Sequence, residues 1–116
     1  MTCPIETRLA DLGHALPPSA PSRALFLPGK VSGNLLFSIR AVAGSLSRVS
    51  QVIRLGGFVA APPGYGDGPA VVNGASQLFI DLWGDAGRHA RTAVNVASLP
   101  ANALVEIEAI VELTPP

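Results

Sequence analysis

Cysteine is almost absent, with Cys3 the single one in the chain. No intrachain disulfide can form, and a reducing compartment is the simpler expectation. Charge is scarce as well: 14% of residues are charged, eight basic side chains balance eight acidic ones, and no run of Lys or Arg occurs. A nucleic-acid partner is therefore not expected, because such binding rests on a basic face that displaces counterions. No stretch approaches the roughly 20 apolar residues that span a bilayer. The opening MTCPIETRLADLG carries Glu6 and Asp11 where a secretion signal needs an unbroken apolar run. The expectation is a cytoplasmic protein without a membrane role.

Signatures of catalysis are also few. There is no CxxC pair, no HExxH and no GxSxG, which removes the common zinc sites and the nucleophile elbow. Two separated histidines and scattered acids make a poor metal site, so neither metal nor organic cofactor is expected. Gly64, Gly66 and Gly68 lack the Lys-Ser/Thr of a phosphate-binding loop and are bracketed by prolines, which marks a surface turn.

Apolar residues, by contrast, are plentiful. They make up 48% of the 116 residues, and mean hydropathy is +0.41. That length allows one domain, 1–116, with one modest core. Such a chain carries more apolar surface than a small domain hides, which favours self-association.

Periodicity supplies the elements. Ile5, Leu9 and Leu12 share a helical face ended by Gly13. Leu16 to Pro21 is a proline-rich connector. Short strands are expected at Ala24–Leu27 and Val31–Phe37, and the end of a helix at Ser38–Ala43 before Gly44. Val49–Ala60 reads as a buried strand and Pro62–Pro69 as a loop. Val72, Ala75, Leu78, Phe79 and Leu82 then recur at helical spacing up to Trp83, with Gly84 beyond the end. Thr92–Ala97 and Val105–Leu113 alternate on either side of a connector holding Pro100, and are expected to pair as antiparallel neighbours. The class is α+β, with helices on one side of a sheet.

Within that frame, Arg91 and Glu106 stand near the starts of the last two strands. A guanidinium there can hold a carboxylate through two parallel hydrogen bonds, and a carboxylate can orient a water or move a proton. The same two residues also fit a charge pair on a solvated face. His89 is read as a base, a phosphate contact or a structural donor. Trp83 and Phe79 are read as core or subunit contacts.

The run Gly87-Arg88-His89-Ala90-Arg91-Thr92-Ala93-Val94, with Leu99-Pro100 and Val105-Glu106-Ile107-Glu108-Ala109-Ile110, resembles the C-terminal signature of the RidA/YjgF (endoribonuclease L-PSP-like) family. The similarity extends through Val71–Ser76, Val52–Val59 and Gly33–Phe37. Thr7–Gly13 with Leu16-Pro17-Pro18 is similar to a bacterial subgroup. The resemblance implies a chorismate-mutase-like fold and a homotrimer with a ligand cleft at each subunit interface. It also implies hydrolysis of reactive enamines or imines to a keto acid and ammonia, without metal or cofactor. By the same resemblance Arg91 binds the substrate carboxylate, Glu106 positions the attacking water, and Asn73 lies near the site. The implied ligand is a small carboxylate, keto acid or imine. The chain departs from the pattern in three places. Ala93 stands where deaminases often carry cysteine, Phe26 lies in the region of a tyrosine, and a segment following Phe37 is missing. Those departures keep open a non-catalytic trimer that binds such a ligand, or serves a pathway as an accessory. Ribonuclease activity, which the older family name carries, has no basic patch to support it.

Overall fold

The computed structural model describes residues 4–15, 29–32, 35–38 and 46–115. The expected features at Cys3, Leu16–Pro21, Ala24–Leu27 (with Phe26) and Ile39–Gly44 lie outside these residues. The elements are helix α1 (Pro4–Asp11), strands β1 (Gly29–Ser32), β2 (Leu35–Ser38) and β3 (Val49–Ala60), helix α2 (Gly68–Trp83), and strands β4 (Ala90–Val96) and β5 (Val105–Leu113).

The strands form one mixed sheet in the order β1-β2-β5-β3-β4. This corrects two expectations. Where one strand was expected over Val31–Phe37, β1 and β2 pair with each other, Ser32 opposite Leu35. And β4 and β5 are not neighbours: β4 runs parallel to β3 on one edge, while β5 runs antiparallel to it on the other. A parallel pair needs a long crossover, and α2 supplies it between β3 and β4. The connection from β4 to β5 then passes the end of β3. There the Ala61 amide donates to the Val96 carbonyl on one side (3.1 Å) and the Ala60 amide to the Leu104 carbonyl on the other (2.9 Å).

Helix α2 starts four residues before the first expected position, at Gly68, with Pro69 in its first turn. The proline was read as part of the loop, but the first turn has no use for its missing amide proton. The helix lies on one sheet face, where Val72 packs against Leu55 and Val59, all three buried. Leu55 is 0% exposed, and full burial of such a side chain contributes about 1.5–3 kcal/mol. Gly57 makes the approach possible, because a Cβ there would run into both methyl groups of Val72.

Helix α1 docks at the far end of α2. Leu9 joins Leu46 and Leu82 in a second buried cluster flanked by Ile5, Leu78 and Trp83. Arg8 Nη1 donates to the Leu82 carbonyl at 2.7 Å, placing a cation on the free carbonyls of a helix C-terminus. Gly13, at φ +84°, ends α1 in the left-handed region as its position requires. No helix among the described residues is long and apolar enough to cross a membrane.

Candidate functional site

Along β3, side chains alternate between the two sheet faces. Leu55, Gly57 and Val59 face α2; Arg54, Gly56 and Phe58 face away. Partners in register share a face, which fixes the placement of the candidate residues. Arg91 is paired with Leu55 and Ala93 with Gly57, so both lie on the helix side. Glu106 is paired with Phe58 and Glu108 with Gly56, so both lie on the open side.

The helix side carries a connected polar cluster. Arg91 Nη1 donates to Asn73 Oδ1 at 2.7 Å and to Ser76 Oγ at 3.2 Å. Asn73 and Ser76 stand three residues apart on α2, on one face of the helix. Ser76 Oγ is 2.9 Å from His89 Nε2, and His89 Nδ1 is 2.6 Å from the Gly87 carbonyl. Edge-on contact between the His89 and Phe79 rings, centroids 5.8 Å apart, holds the imidazole from the core side. Gly87 is buried against α2, and a Cβ there would overlap the Phe79 carbonyl oxygen. Side-chain absence at Gly87 thus lets the turn seat His89. Ser76, Ile80, Arg88, His89 and Arg91 line a shallow pocket of about 230 Å³. Among the described residues no carboxylate lines it. Arg88 reaches Asp85 at 3.4 Å, a pair largely in solvent, and such pairs contribute little.

The open side is different in character. Arg54 and Glu108 form an ion pair at 3.5 Å, which is the charge pair on a solvated face, made by residues other than those first considered for it. Glu106 is half-buried and lines a separate pocket of about 490 Å³ with Leu99, Pro100, Ala101, Ala103, Val105 and Ile107. On the same face Val94, in register with Phe58, is 42% exposed.

Asn73 and Arg91 are therefore brought together, and Glu106 is not with them. Sequence reasoning passed over Ser76, although its place three residues after Asn73 was a readable signal. Phe79 and Trp83 are packing residues, their rings edge to face at 5.8 Å. Ala93 packs against the cluster around Leu55 and Val72.

The family model described as "YjgF/chorismate mutase-like, putative endoribonuclease" matches residues 26–113. Protein TCP17 of Trypanosoma cruzi is 46% identical over 76 residues, 65% of this chain and 48% of that protein; the alignment thus spans about half the length of that curated relative. Among solved structures, Atu1372 of Agrobacterium tumefaciens, a protein of unknown function, superposes with a TM-score of 0.83 at 35% identity, covering 97% of this chain and 94% of that one. TdcF of E. coli with bound serine gives a TM-score of 0.57 at 19% identity, over 81% of this chain and 92% of that one, a likeness of fold.

Proposed function

From the premise that the chain belongs to the YjgF/chorismate mutase-like family, we propose that it binds a small carboxylate-bearing metabolite at Arg91, between subunits of a homotrimer. The chemistry proposed is hydrolysis of a reactive imine or enamine. The observation that carries the reading is the Arg91 guanidinium, held by Asn73 and Ser76 at the edge of a pocket to which the described residues bring no competing carboxylate. Among the described residues Asn73 and Ser76 take up Nη1 alone of its nitrogens, which leaves donors for a ligand oxygen pair. In TdcF the same fold holds serine, whose carboxylate is the kind of group assigned here to Arg91.

In the reaction, water adds to the C=N carbon, its oxygen bonding to carbon while the nitrogen takes up the proton. The added hydroxyl then gives its proton to the nitrogen, the C=O bond forms as the C–N bond breaks, ammonia leaves, and the keto acid remains. Glu106 is assigned to hold the water and pass its proton. Arg91 and Glu106 are on opposite sides of one sheet, so a ligand reaching both takes Arg91 from one subunit and Glu106 from its neighbour. Val94, an exposed apolar side chain on the open face beside Phe58, supports that assembly, since an oligomer would cover it.

Imines generated in situ by an amino-acid oxidase test the proposal, with wild type and Arg91→Ala compared. Faster keto-acid release that disappears in the variant is the expected result. Binding of a keto acid without any turnover would point to the second reading, a ligand-binding accessory trimer. That reading is favoured by the separation of Glu106 from Arg91 within each chain.

A further inference from the structure

The hydrogen-bond chain behind Arg91 has two complete settings. A carbonyl oxygen only accepts, so His89 Nδ1 carries its proton toward the Gly87 carbonyl whatever the state of the ring. With the ring neutral, Nε2 is bare. It takes the Ser76 hydroxyl proton across 2.9 Å, and Ser76 Oγ accepts from Arg91 at 3.2 Å. With the ring protonated, Nε2–H donates to Ser76 Oγ instead. Arg91 and His89 then fill both lone pairs of that oxygen, and the hydroxyl proton is released from the ring. No heavy atom moves between the two settings. Ser76, His89 and Arg91 all line the same pocket.

We propose that this pocket takes its anion together with a proton on His89, the freed Ser76 hydroxyl turning outward to become a further donor to the bound carboxylate. This rests on the assignment of a carboxylate to Arg91 and extends it: His89 and Ser76 become part of the anion site. The surroundings of the ring are compatible with such coupling. From α2 it meets Ser76 and the Phe79 edge. From the turn before β4 it meets the Gly87 carbonyl, with Asp85 engaged by Arg88. From β4 come Arg88, just before the strand, and Arg91. From β3 the residue in register with Arg91 is the apolar Leu55, while Arg54 and Glu108 pair on the far face. Among the described residues no carboxylate is bonded to the ring. An incoming anion therefore supplies the negative charge beside the imidazolium. The bound state holds more protons than the free state, so affinity rises as pH falls, and by reciprocity the ligand favours the protonated ring.

The chain has two histidines, and His14 is exposed beyond the end of α1. In His14→Gln protein the ring resonances of His89 are therefore unambiguous by NMR. Pyruvate is the probe, its binding measured by calorimetry from pH 8 to pH 5.5. Expected are an affinity about tenfold higher at the acid end, loss of that acid-side gain in His89→Gln, whose affinity at either pH stays no higher than that of the wild type at pH 8, and movement of the His89 titration to higher pH when pyruvate is added. Ser76→Ala is expected to weaken the acid-side gain. Binding that is lost in Arg91→Ala but equal at both pH values overturns this proposal and leaves the Arg91 assignment standing. Binding unchanged in Arg91→Ala, or no binding by folded protein, overturns both.

Discussion

Arg91 and Glu106 face away from each other across a single sheet, Arg91 in register with Leu55 beneath α2 and Glu106 in register with Phe58 on the open side. A site that uses both is incomplete in one chain. Arg91→Ala and Glu106→Gln proteins, each inactive alone, should regain activity when unfolded together and refolded as mixed oligomers. Random mixing in equal amounts restores about a quarter of the interfaces, since each site draws one residue from each neighbour. Absence of any recovery, with mixed oligomers shown to form, would mean that the two residues do not share a ligand.

The open face supplies the next test. Val94 is 42% exposed there, and an oligomer would bury it. Val94→Glu should yield monomers in analytical ultracentrifugation while the far-UV spectrum stays that of the folded chain. If the variant keeps the wild-type sedimentation coefficient, assembly runs through another surface.

Gly87 lies so near the Phe79 carbonyl that it has no room for a methyl group. Gly87→Ala should cost about 1–3 kcal/mol, as overpacking of a buried contact does. Thermal unfolding reads the loss. The same change should displace His89 and weaken carboxylate binding at acid pH more than at pH 8.

Ala101 sits in the connector between β4 and β5 at φ 57°, in the left-handed region without being glycine. Such a conformation costs a side chain about 1–2 kcal/mol, partly offset by the greater freedom of glycine in the unfolded chain. Ala101→Gly should therefore raise stability by about 0.5–1 kcal/mol, visible as a later denaturant midpoint with an unchanged slope.

Much of this architecture is legible in the amino-acid sequence. The spacing of Ile5 and Leu9 ahead of Gly13, the apolar run of β3 and the alternation in β5 each follow from one element's own burial, although Leu12, expected on the same face of α1, is exposed beyond the helix end. Pairing was harder to read. Two alternating strands joined by a short connector look like a hairpin, yet β3 lies between β4 and β5 because α2 has already carried the chain across to one edge. In the sequence Gly33-Asn34, a dipeptide of turn-forming residues inside an apolar stretch, was a readable signal for two strands rather than one. At the site, Arg91 and Asn73 were named from a resemblance in sequence. Their contact, and the part played by Ser76 and His89, depends on how α2 lies over β4, which no local pattern encodes.

The position of β5 bears on how the chain comes together as it is made. It is the last described strand, yet it sits between β2 and β3, and the described sheet joins β1 and β2 to the remainder only through it. During synthesis, β3, α2 and β4 can assemble as they leave the ribosome, but until β5 arrives one edge of β3 stands open along its length. An open edge invites pairing with another chain. Emergence of β5 thus decides between closing the sheet and aggregation, and a polysome crowded with nascent copies is where that choice is most exposed.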